Sequence, residues 1–499
     1  MATLRSITLR YPGSYGLNTQ EDTQVDPASR FAATVTNGVI NKTGKLVSRE
    51  DFALQTSGFS NTVQSLFNWY QSSSSNVIVS AAAGKVYTGT TTLTERVDYS
   101  SSSTTLCSLS FAVLGDYLAF GQKGINSHIV DSGWSSATFS GASFTDANIF
   151  MSGFGRMWAA NDSSNTQTIW WSDLLDPLAW ASGDAGSINV RNAWPNGPED
   201  ITAMTTFGNR IIVFGTNSIL LYTMADDLDP SAITLAPNDT VHNLACIARD
   251  SVQVTDQGVF FLTANGIFKI DRLGQTTQLL TNKHVSLLCN DQVLASISTQ
   301  SDKTLIKSAY YPIEGWYVLS FPTENKSYCV HTRKAVPDVE GSHVITTWTN
   351  TGRPFHAFAV DGNNNFYSGG VNGVHKYTGY TPDGASNAYS LIWSPQWQTF
   401  EDDSRLKHLK KLVLALTADL SQAFTVAWSV DYKTGTSRSE TGVCGAEQFA
   451  EDPGLGYAAV PLGGSCKVVK PTVTFVINGA AVTLHHAQIY ANPGKTSPM

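Results

Sequence analysis

The chain has no run of about 18 uncharged apolar residues, so nothing in it reads as a membrane-spanning helix. Its opening, MATLRSITLRYPGSYG, lacks the apolar stretch of a secretory signal. No CxxC spacing occurs among Cys107, Cys246, Cys289, Cys329, Cys444 and Cys466, which excludes a zinc ribbon and favours buried thiols in a reducing cytoplasm over a disulfide framework. A Walker loop, GxSxG, HExxH and a GxGxxG in strand-turn-helix context are all missing. The one adjacent histidine pair, His485-His486, falls in a predicted strand, where neighbours point to opposite faces and cannot share a metal. Charge is scarce at 14%, and 32 Lys+Arg against 40 Asp+Glu give a net charge of -8. That balance excludes a basic grip on duplex DNA but not a surface past which DNA slides.

What is present is a β-rich composition, 42% hydrophobic with Ser, Thr, Asn and Gly in place of charge. From Asp200 to Gln275 the pattern is twice a short apolar run, a Gly/Asn turn and a second apolar run. Arg210 to Phe214 and Ser218 to Tyr222 flank Gly215-Thr-Asn217, and Gly258 to Leu262 and Gly266 to Ile270 flank Thr263-Ala-Asn265. Similar hairpins centre on Val79, Leu118, Met157, Tyr317 and Phe366. A unit recurring every roughly 40 to 50 residues predicts an all-β chain built as a β-propeller of about seven blades, six to eight being the range. Unequal spacing between Met157 and Tyr317 points to an inserted loop or subdomain. Residues 1–60 read as an extended arm with a first strand around Leu4, Ile7 and Leu9, lying across a larger body. Residues 61–384 read as the propeller, and 385–499 as a separate small β-sandwich-like domain ending in a loose tail, NPGKTSPM. Its expected strands run Ser390 to Trp397, Leu409 to Thr417, Ala423 to Tyr432, Lys467 to Val476 and Ala481 to Tyr490; Lys407 to Leu414 is equally compatible with an amphipathic helix.

Three patterns bear on chemistry, each with a structural alternative. Ser182-Gly-Asp184-Ala-Gly186-Ser resembles the S-x-D-x-G turn of sialidase-type propellers, whose Asp caps a hairpin. Asp361, Asn363 and Asn365 have the spacing of an oxygen-rich calcium loop without the acidic residue that closes an EF-hand, and the same residues suit a blade turn. Trp170, Trp171, Asp173, Asp176 and Trp180 combine aromatics and carboxylates as a sugar cleft does, or as a core anchor and a turn do. No acid/base constellation emerges, and no cofactor is expected.

Several segments resemble tail nozzle proteins of short-tailed bacteriophages, also called tail tubular protein B or packaged-DNA stabilisation proteins. They are Gly16-Leu-Asn18-Thr-Gln20, Asp26-Pro27, Asn37-Gly-Val-Ile40, Gly44 to Arg49, Gly115 to Leu118, Arg156-Met-Trp158, Trp171 to Pro177 and Ile201 to Val213. The resemblance covers roughly residues 10 to 380 and lies in the order of the motifs. It implies a non-enzymatic virion protein assembled in the host cytoplasm: a homo-hexameric ring below the portal-adaptor ring, beside tail fibres. Its lumen would close before infection and conduct double-stranded DNA on ejection without binding it specifically. Asp226, Asp227, Asp229, Glu401, Asp402 and Asp403 are then candidates for the lumen or for interfaces, or are plain solvated turns. Ser72 to Asn76 and Ser100 to Thr105 are candidate gate or fibre-docking loops. The alternatives are a carbohydrate-binding or depolymerising propeller used in host recognition, and a scaffold propeller that binds peptides.

Overall fold

The computed structural model describes residues 5–20, 30–59, 61–71, 76–89, 92–100, 108–224, 235–272, 280–350, 354–371, 373–381, 389–400, 405–419, 422–444 and 455–496. Alternating apolar residues separated by Gly and Asn turns produce seven antiparallel four-stranded meanders, the blades of a propeller. Blade 1 runs from Ser65–Tyr70 to Thr94–Asp98, blade 2 from Ser110–Leu114 to Ser136–Ala137, and blade 3 from Ile149–Gly153 to Gly186–Asn189. Blade 4 runs from Ala203–Phe207 to Leu235–His242, blade 5 from Gln253–Thr255 to Leu280–His284, and blade 6 from Lys307–Tyr311 to His343–Trp348. Blade 7 takes three strands, Ala357–Val360, Phe366–Gly370 and Gly373–Tyr377, and borrows its fourth, Phe52–Ser57, from far upstream. The ring is thereby latched shut. Val79, Leu118, Met157, Ile212, Phe260, Tyr317 and Phe366, the centres read from sequence, each fall in the second strand of successive blades.

A blade is apolar on both faces, so each face must be covered by a neighbour. Between blades 2 and 3 the cover is Ala119, Ile129, Phe144, Phe150, Met157, Trp170 and Trp180; between blades 3 and 4 it is Trp158, Trp171, Ile211 and Val213. Serines peg neighbouring first strands: Ser65 Oγ accepts from Leu109 N at 2.9 Å, and Ser110 Oγ from Phe150 N at 2.9 Å.

Beyond the propeller, two sheets form a sandwich. One has the order Gly38–Ile40, Leu46–Ser48, Thr483–Thr496, Arg405–Thr417, Leu455–Pro461, with Arg5–Arg10 paired to Thr483–Thr496 and Ser465–Cys466 to Arg405–Thr417. The other begins as blade 6. From His343–Trp348 it passes through Thr34–Thr36, held in parallel, to Tyr389–Ser394, Val469–Ile477, Ala423–Val430 and Lys433–Val443. Three features differ from the sequence expectation. The arm does not lie across a surface: four of its strands complete the sandwich, because their apolar alternation (Leu9, Val35, Ile40, Leu46) needs a sheet on one side. Nor is the C-terminal part separate, since one sheet and one continuous core, including Phe260, Tyr317, Trp393 and Phe475, join it to blades 5 and 6. The tail, expected to be loose, is paired as far as Thr496, opposite Arg405.

The ambiguous Lys407 to Leu414 is strand, because residues on both of its edges pair. An α-helix, Asn290–Thr299, lies in the connection between blades 5 and 6 and accounts for part of the unequal spacing. Among the described residues no helix is long and apolar enough to cross a membrane.

Candidate functional site

The first strands of the seven blades surround an axial cavity of about 480 Å³, lined by Asn68, Ser110, Phe150, Met204, Gln253, Lys307 and Phe358 among others. At one end the connections entering blades 2, 3, 5 and 6 meet in a charged knot. Arg249 Nε and Nη2 donate to the two oxygens of Asp250 at 2.7 and 2.8 Å. Its Nη1 donates to Asn148 O and Oδ1 at 2.6 and 2.9 Å, and Nη2 also to Ser108 O at 2.9 Å. Lys307 Nζ closes the knot by donating to Ser108 Oγ at 2.7 Å and to Asp250 Oδ2. Burial alone would raise the Asp250 carboxyl, but Arg249 and Lys307 outweigh it and hold it down at about 2. Burial pushes the Lys307 ammonium below its ordinary value despite that partner. A second cavity of about 290 Å³, lined by Ser108 among others, shares Arg249 and Asp250 with the first, so the knot borders both. Every polar hydrogen of the Arg249 guanidinium is committed within the chain, and the geometry is that of a rivet across the axis.

A second cluster locks the arm. Arg49 is fully buried; its Nε donates to Asn37 Oδ1 at 3.0 Å, Nη1 to Glu50 O at 2.7 Å and Nη2 to Thr349 O at 3.0 Å. The guanidinium lies 4.2 Å from the Tyr389 ring centre, while Tyr389 Oη donates to Arg49 O at 2.6 Å. Arm, blade 6 and sandwich meet at this one side chain.

The sequence candidates resolve as follows. Asp184 does not cap a hairpin. It receives Arg156 Nη2 at 3.1 Å, and the buried Arg156 also donates to Ser172 O and Asp184 O. Asp361 caps its own turn: Oδ1 accepts from Asn363 N at 2.9 Å and Asn365 N at 2.7 Å, and Oδ2 from Asn365 Nδ2 and Tyr367 Oη, so both oxygens are engaged by protein donors. Trp170, Trp171 and Trp180 are buried between blades, with no ring face free to receive a sugar. Asp173 and Asp176 hold a tight turn rather than flank a cleft. His485 meets Thr417 while His486 meets Tyr457, on opposite faces. The described cysteines are buried thiols, burial pushing Cys246 up to about 11. Asp226, Asp227, Asp229, Glu401, Asp402, Asp403, Cys107, Asp26, Pro27, residues 72–75 and residues 101–105 lie outside the described residues.

Sequence reasoning missed the knot, whose members are spread over 200 residues, and the carboxylates that do cap hairpins. Asp146 accepts from Gly124 N of the blade 2 turn at 2.7 Å and from Ser163 N of the blade 3 turn at 2.9 Å, stapling two blades. Glu199 accepts from Asn217 N at 2.6 Å and Ser218 N at 3.0 Å. An acid 17 or 18 residues ahead of a hairpin turn is the signal that finds both.

No family model and no curated protein matches the chain. Among solved structures it is similar to the β-propeller domain of Cps50 (Swd1) from Myceliophteria thermophila, with 10% identity and a TM-score of 0.41 over 64% of this chain and 98% of that one.

Proposed function

We propose that this chain is a structural subunit of a phage virion: six copies form the nozzle ring at the tip of a short tail, below the portal-adaptor ring and beside the tail fibres. The observation that carries the reading is the Arg49 lock. The residues through which the chain resembles nozzle proteins are joints, Asn37 and Arg49 tying arm to propeller and sandwich, Arg156 and Trp171 tying down the blade 3 loop. Joints of this kind serve a part that must transmit load as one rigid body. The riveted axis supports the same reading: a cavity of about 480 Å³ is the size of a small-molecule site, so a DNA passage belongs between copies rather than through one propeller. The chain's net charge of -8 suits a wall that a polyanion passes without adhering, and the acidic runs at Asp226 and Glu401 are the first places to look for it. The role is structural, with assembly in the host cytoplasm and residence in the virion tail. Electron microscopy of the purified protein tests it: six-fold rings are expected, and a stable monomer that binds or cleaves glycans overturns it.

A further inference from the structure

In the blade 3 loop, Asp173-Leu-Leu-Asp176 forms a tight turn whose tip is apolar. Leu174 is 50% exposed and Leu175 73%, the latter the most exposed large apolar side chain among the described residues. The turn is held rather than mobile. Leu175 N donates to Gly155 O at 2.8 Å, Leu174 N and Asp184 N donate to Asp173 Oδ1 at 2.7 and 2.9 Å, and Leu178 N donates to Asp176 Oδ1 at 2.9 Å. Leu175 sits at φ +59°, a conformation that glycine or asparagine adopts with less strain. Strain and exposure together hold two leucines outward between two carboxylates. A bulky side chain kept there against both costs is a contact feature.

The complement lies on the same chain. Beside the turn that joins the third and fourth strands of blade 6, where the arm enters the sandwich, a cavity of about 410 Å³ has apolar walls that include Tyr11 and Pro337. Arg30, Lys42, Arg333 and Lys334 line it, and no carboxylate is among the described lining residues. Arg333 Nε is paired with Asp256 Oδ2 at 2.7 Å and Lys334 Nζ donates to Ile40 O at 3.0 Å, so Arg30 and Lys42 carry the rim's positive charge. The knob is likewise in a third-to-fourth-strand connection, so both lie on one face of the propeller, three blades apart in a ring of seven and on nearly opposite sides of the axis. An acid-flanked apolar knob and a base-rimmed apolar socket on opposite sides of one body are the two halves of a head-to-tail contact, which repeats from copy to copy.

We propose that the Leu174-Leu175 knob of one copy seats in the Tyr11/Arg30/Lys42 socket of the next; the inference rests on the ring reading above and names the contact that builds the ring. The full-length protein and Leu175→Gly are compared by sedimentation velocity over a concentration series. Glycine removes the more exposed half of the knob and relieves the backbone, so the variant is expected to keep its melting temperature while self-association weakens on the order of ten-fold or more. Lys42→Glu is expected to weaken association too, and adding Asp176→Lys to it to restore association. Rings formed equally by wild type and both single variants overturn the contact and leave the ring reading standing. A wild type that stays monomeric at every concentration overturns the ring reading and the contact with it.

Discussion

At the residue scale, stability is concentrated in a few buried or part-buried charges whose partners are internal. Asp250 faces two cations in the axial knot, so Asp250→Asn leaves Arg249 and Lys307 desolvated without a counter-charge; urea unfolding is expected to show a loss of about 3 kcal/mol. The wild-type carboxyl has a depressed pKa, so its contribution is complete above the ordinary carboxylate range and is lost as pH falls through about 2. Three histidines act in a higher window. Burial holds His331 down to about 3, and His343 and His356 down to about 4; the neutral His331 Nε2 accepts from Ile40 N. Each is neutral when folded and protonates near 6.5 when unfolded, so stability falls as pH drops below 6.5, by up to about 1.4 kcal/mol per unit per histidine until the folded value is reached. Denaturation midpoints measured from pH 7 to pH 4.5 are expected to drop steeply, and a flat profile would refute this account.

At the element scale, the decisive piece is the strand Phe52–Ser57, which closes blade 7. Phe52 is buried against the rings of Trp348, Phe355, Phe366 and Tyr377, with centroids 4.8 to 6.5 Å away. Phe52→Ala is expected to cost about 4 kcal/mol and to speed limited proteolysis between blades 1 and 7, measured by thermal unfolding and cleavage mapping. This latch also marks the limit of what the sequence reveals. Hairpins are local, so the Gly and Asn turns flanked by apolar runs located seven second strands without a structure. The latch, the sandwich strands at Thr34–Thr36 and Leu46–Ser48, and the knot pair residues hundreds of positions apart, and their short polar-flanked runs carry no mark of the partner. The strands Lys433–Val443 and Leu455–Pro461 escaped for a different reason: Lys, Arg, Glu and Gly break their alternation. For the candidate site, the sequence supplied Arg49, Arg156 and Asp173 as motif members, but their work as joints appears only when Thr349, Tyr389 and Asp184 are brought to them.

At the scale of the whole molecule, propeller and sandwich share a sheet and a core, so they are one cooperative unit. Calorimetry is expected to show a single unfolding transition. Arg49→Ala removes three hydrogen bonds and a cation-π contact from the seam; it is expected to cost about 4 kcal/mol, with the seam and not the distant blades 2 and 3 losing hydrogen-exchange protection first. Two resolved transitions in the wild type would contradict the shared core. The pairing of Arg5–Arg10 with Thr483–Thr496 has a consequence in time. A ribosome delivers the second of these strands, which starts at Thr483, long after the first, which ends at Arg10, so the earlier strand waits for everything between them before it has this edge to join. Tyr11, which follows directly and lines the basic cavity, is fixed in place only then. The Tyr11 side of that cavity is therefore completed only after the strand Thr483–Thr496 has been made, and the contact proposed for it is available only from then on.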